Sequence, residues 1–248
     1  MIFKKLILSI TVLFFALPHE QNSDGLRLLD KMHKRYESKW YKTLTFDQQT
    51  IRYDEEGKIV SENVWYEAIQ MPDKLAIKFD DMDKGNGMIF RNDSIYQLKE
   101  GQVSSSRIMY HPLLILGFSV YDQPAVKTAR ALTILGFDLE KAHQRDYNGK
   151  KVYVVGALEG DNDSNQFWID KETLLFVRMT QNFGNGRNQD VHFNKYEKIG
   201  GGWVATEVKF YTDNKLRLSE VYTNIKSPDE LSPKIFEPAS FEGVKWVP

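Results

Sequence analysis

The strongest constraint on this chain is a switch of hydrophobic period. From Leu44 onward apolar residues recur at every second position, in short runs rich in Val, Ile, Thr, Tyr, Phe and Trp. Such alternation places one set of side chains on each face of a strand, so this part of the chain must build sheet. The runs are Leu44–Tyr53, Ile59–Ile69, Lys74–Asp80, Met88–Arg91, Ile95–Lys99 and Gln102–Ser106, followed later by Lys151–Leu158, Asn165–Asp170, Leu174–Thr180, Asp190–Ile199, Val204–Thr212 and Leu216–Asn224. Glu55-Glu56-Gly57, Met71-Pro72-Asp73, Lys84-Gly85-Asn86-Gly87, Asn92-Asp93, Glu100-Gly101 and Asp213-Asn214 stand between runs, and all favour turns. These twelve strands predict antiparallel hairpins in a meander.

Two segments break the alternation. Over Asp24–Lys39, Leu26, Leu29, Met32, His33 and Tyr36 recur at spacings of three and four after a Ser23 or Asp24 N-cap, which predicts an amphipathic helix. His111–Leu139 carries longer apolar spacings, with Pro124 placed to open a helix over Ala125–Leu135, and predicts one or two helices. Its apolar content, including Leu113, Leu114, Leu116, Leu132 and Leu135, requires burial, and covering one face of a single sheet is the simplest solution. The expected fold class is therefore α+β, mainly β. A strongly curved sheet carries an N-terminal helix and a central helical insert, with no internal domain boundary.

Met1–Leu17 reads as a signal peptide. Lys4 and Lys5 precede a 12-residue run, Leu6–Leu17, in which only Ser9 and Thr11 are polar. That run is shorter than the ~20 residues a membrane span needs and fits an h-region. Cleavage is expected near residues 16–21, leaving a single domain over 18–248. Losing Lys4 and Lys5 reduces the 33 basic residues to 31 against 34 acidic ones, a net charge of −3. The expected compartment is the periplasm.

Composition and motifs exclude many chemistries. With no cysteine, disulfides, thiolate metal sites, cysteine nucleophiles and cysteine-linked lipid anchors are all ruled out. The charge balance lacks the concentrated basic surface that nucleic acid demands. The five histidines, at 19, 33, 111, 143 and 192, never pair as H-x-H or H-x-x-x-H. Asp161-Asn162-Asp163-Ser164-Asn165 with Glu172 resembles a calcium loop, but Gln166 occupies the position that needs glycine. No P-loop, G-x-S-x-G or G-x-G-x-x-G occurs, so no metal, cofactor or enzymatic activity is expected.

Several strands separate apolar from polar faces, as with Leu75, Ile77 and Phe79 against Lys74, Lys78 and Asp80. Many strands and few helices predict a concave apolar face that the helices do not fill completely, as in small barrels that hold one ligand. An ordinary filled core is the competing expectation for any single residue.

The motif order adds a family resemblance. Phe46-Asp47-Gln48, Gly57, Val64-Trp65-Tyr66 and Met71-Pro72-Asp73-Lys74-Leu75 resemble the opening strands of the LolA/LolB-like lipoprotein-carrier superfamily. Asn92-Asp93-Ser94-Ile95-Tyr96, then Phe167-Trp168-Ile169-Asp170-Lys171-Glu172-Thr173-Leu174, and finally Asn224-Ile225 through Phe236-Glu237-Pro238, follow in the family's order. Met71 stands where the carrier has the arginine that tunes lipoprotein holding.

The resemblance implies an incomplete antiparallel barrel whose concave face holds acyl chains of a lipoprotein or other lipid in transit to the outer membrane. It further implies a monomer served by donor and acceptor proteins at the two membranes, with no cofactor. The cavity lining expected on this basis is Phe46, Trp65, Leu75, Ile77, Phe79, Phe167, Ile169, Val177, Met179, Phe193, Val208 and Phe210, with Leu113, Leu114, Leu116, Leu132 and Leu135 as a lid. The alternatives are a sensor or protein-binding module of the same fold with a filled core, and a hydrolase acting on envelope lipid or glycan.

Overall fold

Ser23 opens the first helix, α1 (Asp24–Tyr36), by accepting the Leu26 amide at 3.2 Å through its hydroxyl. The apolar stripe of α1 buries Leu28, Leu29 and Met32. The helix ends three residues before the expected Lys39, and the turn that follows carries Trp40 and Tyr41 into the same core. The structure is a computed structural model that describes residues 23–184 and 188–246, so the expected signal peptide lies outside the described residues.

Thirteen strands follow among the described residues: β1 (Thr43–Tyr53), β2 (Ile59–Gln70), β3 (Lys74–Phe79), β4 (Gly87–Arg91), β5 (Ser94–Lys99), β6 (Gln102–Ile108), β7 (Ala142–Tyr147), β8 (Lys150–Val155), β9 (Gln166–Asp170), β10 (Phe176–Asn182), β11 (Asn188–Ile199), β12 (Gly202–Thr212) and β13 (Lys215–Lys226). They make one antiparallel sheet in the order β6-β5-β4-β3-β2-β1-β13-β12-β11-β10-β9-β8-β7. All neighbours are consecutive hairpins except β1 and β13, whose pairing joins the two halves. The sheet does not close, and β6 and β7 are its free edges. Both edges are polar and largely exposed, which blunts them against pairing with other chains.

β7, which no period announced, is the thirteenth strand. Its sequence AHQRDY shows no alternation because an edge strand has little apolar surface to bury. A second departure occurs in β10, where the pairing shifts between Phe176 and Arg178. This bulge leaves Phe176 and Met179 on the concave side, while Val177 packs with Val152, Val154 and Trp168 on the convex side. Val177, expected to line the cavity, therefore does not.

The helices α1, α2 (Pro112–Gly117) and α3 (Ala125–Ile134) sit against the concave face and share one apolar core with it. At the end of α2, a Cβ on Gly117 would come within 2.9 Å of the Phe193 ring, so glycine lets the helix seat on β11. Tyr121 stacks on Trp40 at 4.0 Å and accepts the Phe176 amide N–H on its hydroxyl oxygen at 2.8 Å, tying the helical insert to β10. On the convex face, the segment after β13 folds back and buries Ile235, Phe236 and Phe241 against Ala68, Ala76, Ile89 and Leu98.

Candidate functional site: an apolar cavity at the open side of the half-barrel

The concave face is not uniformly apolar. Beside the helices it is dense core, where Leu44, Ile69, Leu116, Leu132, Phe167, Ile169, Val208 and Met179 are all at most 1% exposed. Leu116 and Leu132 are thus core residues in this structure. Further along β1, β2 and β13 the same face turns polar: Gln48, Thr50, Glu67, Glu220 and Tyr222 lie on it. Glu67 is 6% exposed, and burial with Glu220 nearby pushes its carboxyl well above the ordinary glutamate range. Burial likewise raises Glu220 to about 7, although the Tyr222 hydroxyl donates to it at 2.9 Å. This acid pair, Glu67 buried and Glu220 half-buried, was not visible in the sequence, because only the sheet register reveals that residues 153 positions apart share a face.

A cavity of about 530 Å³ lies beside the core. Ile108, Met109, Tyr110 and His111 wall it from the end of β6, Pro112 and Leu113 from α2, and Ile134 and Leu135 from the end of α3. Met179, Gln181 and Phe183 face them from β10 and its exit, with Gln189 of β11 and Phe210 of β12. Because β6 is an edge of one half of the sheet while β10, β11 and β12 belong to the other, the cavity bridges the open side of the barrel. Ile108, Ile134 and Phe183 keep more than half of their surface in solvent at its rim. Exposed large apolar side chains grouped around an apolar hollow are a binding feature, since solvent gives no reason to group them.

Four of the residues expected from the sequence meet in this cavity: Leu113, Leu135, Met179 and Phe210. Leu114 lines a neighbouring cavity instead. Phe46, Leu75, Ile77, Phe167, Ile169, Phe193 and Val208 face inward as core, and Trp65 and Phe79 pack on each other at 4.7 Å on the same side. The rim residues Ile108, Ile134 and Phe183 escaped the sequence reading because they lie at or beyond element ends, where alternation carries no face information.

No protein-family model and no curated protein sequence matches this chain. Solved structures do. One is a LolA superfamily protein from Nitrosomonas europaea, 8% identical, with a TM-score of 0.55 over 83% of this chain and 96% of that one. The chain has the LolA-like open half-barrel fold. The LolA-like arrangement is shared by a domain named for outer membrane lipoprotein sorting from Vibrio parahaemolyticus, 12% identical, TM-score 0.55, covering 88% of this chain and 98% of the other. A DUF1329 family protein from Desulfovibrio piger is similar as well, at 15% identity and a TM-score of 0.58 over 88% and 97% of the two chains. At such identities the likeness extends to the fold alone.

The calcium-like loop has a structural explanation. The Asp161 carboxylate accepts the Asp163 and Ser164 amides and the Ser164 hydroxyl, and these bonds hold it below the ordinary aspartate range. Its oxygens cap a turn. No group of three or more His, Asp or Glu side chains with metal-binding geometry occurs among the described residues.

Proposed function

We propose that this protein carries the acyl chains of a lipoprotein or other lipid in the cavity at the open side of its half-barrel, delivering them through the periplasm towards the outer membrane. The observation that carries this reading is the cavity itself. Its volume of about 530 Å³ lies within the roughly 300–1,000 Å³ of ordinary small-molecule sites. Each methylene buried there stabilises the complex by about 0.8 kcal/mol, so roughly ten methylenes give about 8 kcal/mol before ordering costs. That supports reversible binding, as a carrier requires.

The LolA-like fold and the lipoprotein-sorting name of one structural neighbour support the same reading. The apolar run at Leu6–Leu17, read as an export signal ahead of one domain over 18–248, supports the periplasm, and no described helix is long and apolar enough to cross a membrane. Donor and acceptor proteins at the two membranes are the partners this function needs, with the carrier as a monomer.

Displacement of a neutral fluorescent dye by lipids, together with native mass spectrometry of protein purified from an envelope, tests the proposal. Bound acyl chains are expected; a folded protein that binds no lipid of any class overturns it. Ile108→Asp and Ile134→Asp discriminate further. Their side chains are 79% and 57% exposed, so folding is expected to be unaffected, while a carboxylate at the rim should weaken lipid binding by about tenfold or more.

One observation favours a second reading, a protein-binding module of the same fold. Most of the concave face beside the helices is filled. Normal folding, blank lipid assays and a stable protein complex at the rim would establish that reading instead.

A further inference from the structure

A second cavity, of about 350 Å³, adjoins the apolar one and shares Met109, Tyr110 and His111 with it. Its character differs. Arg91, Lys127 and Arg130 line it together with the buried Ser119 and Gln123. Lys127, Arg130, Ala131 and Ile134 fall on one face of α3 by their spacing, the first three on this second cavity and Ile134 on the apolar one. At 1.5 Å per residue, Arg130 and Ile134 lie about 6 Å apart along the helix axis. One side of α3 thus runs from cationic to apolar within little more than a turn.

The donors in this cavity are not equally free. Arg91 donates to the Phe236 carbonyl and pairs with Glu237, and Lys127 pairs with Asp73 at 2.9 Å. Arg130 makes no ion pair among the described residues. His111 sits in the shared wall. Its Nδ1 accepts the Leu114 amide at 3.1 Å as the cap of α2. A neutral imidazole that accepts at Nδ1 carries its proton on Nε2, and that N–H meets no acceptor among the described residues. Burial keeps the ring neutral by lowering its pKa to about 4, so the donor persists at every physiological pH. Asp93, the remaining acid of the lining, is exposed in the turn between β4 and β5 and forms no ion pair with Arg130, which is exposed as well, so water screens both charges.

We infer that this cavity takes the anionic head group, a carboxylate or a phosphate, of the amphiphile whose acyl chain occupies the apolar cavity, with Arg130 and the His111 Nε2–H as its donors. Charge-assisted hydrogen bonds of this kind fix a head group's position as well as its affinity. The inference rests on the carrier reading and narrows it to anionic amphiphiles.

Displacement of the neutral dye N-phenyl-1-naphthylamine from the full-length protein by laurate, dodecyl phosphate and methyl laurate provides the test, in wild type, Arg130→Gln and His111→Asn. Asparagine is a good helix cap, so His111→Asn keeps the start of α2 while removing the ring with its Nε2–H and leaving only a shorter amide N–H2 beside the cap. Laurate or dodecyl phosphate should compete at least about tenfold better than the ester in wild type, and whichever is stronger identifies the head group. Both substitutions should shrink that ratio towards one, and Arg130→Gln, which lies outside the apolar cavity, should leave the ester unchanged. Equal competition by acid and ester, or a ratio that survives Arg130→Gln, overturns the head-group site and leaves the carrier intact. Displacement by none of the three, with dye binding also absent, removes the carrier function itself and this site with it.

Discussion

Replacing Lys78 with alanine is expected to destabilise the protein by about 2–4 kcal/mol and to release the segment that follows β13. Lys78 lies on the convex face of β3 with 0% exposure. Its ammonium donates to the carbonyls of Met82 at 2.6 Å, Val244 at 2.8 Å and Glu242 at 3.1 Å, and it lies 5.2 Å from the Phe241 ring centre and 5.6 Å from that of Trp246. Burial pulls its pKa below the ordinary lysine value, while Asp83, Glu242 and Asp81 support the charge. Three carbonyl partners make the burial tolerable, and losing the ammonium leaves them unpaired beside a void. For a chain of this size the melting midpoint should fall by roughly 5–15 °C. Limited proteolysis should then cut the segment after β13 in Lys78→Ala and spare it in wild type. A midpoint within about 2 °C of wild type with a protected C-terminal segment would show that Phe241 and its apolar neighbours hold that segment without the lysine.

The second large effect is a loss of stability as pH rises. The concave face holds Glu67 and Glu220 on either side of β1, both with carboxyl pKa values raised chiefly by burial. In the unfolded chain each releases its proton near pH 4.5. The folded state therefore binds more protons than the unfolded one above that pH, and stability falls with increasing pH. For Glu220 the contribution is fully present below pH 4.5 and is lost by about pH 7, an effect of about 3 kcal/mol. Glu67 extends the decline in the same direction. Thermal melts from pH 5 to pH 8 should show a falling midpoint. In Glu220→Gln the decline should flatten, because the amide keeps the shape of the protonated carboxyl and cannot ionise. A wild-type midpoint that is level or rises over this range, or a Glu220→Gln profile parallel to wild type, would show that water reaches the pair.

The hairpin meander was legible because alternation is a local signal. Leu75, Ile77 and Phe79 face the core as their spacing demands, and the Ser23 cap and apolar stripe of α1 were readable for the same reason. Reading failed where a neighbour distant in sequence decided the outcome. Lys78 belongs by alternation to the polar face, and it is buried because residues 241–246 lie over it. Val177 alternates correctly with Met179 until one bulge sends it to the opposite side.

The amino-acid sequence determined the mainly β class, the helical positions and the apolar character of the inward face beside the helices, since period, caps and turn residues act over a few positions. Tertiary structure decided where that face is filled and where it stays hollow. It also brought Glu67 to Glu220 across β1, and Ile108 to Phe210 across the open side of the barrel. These outcomes depend on register and sheet curvature, which are set by the whole sheet at once and leave no mark on any single stretch of sequence.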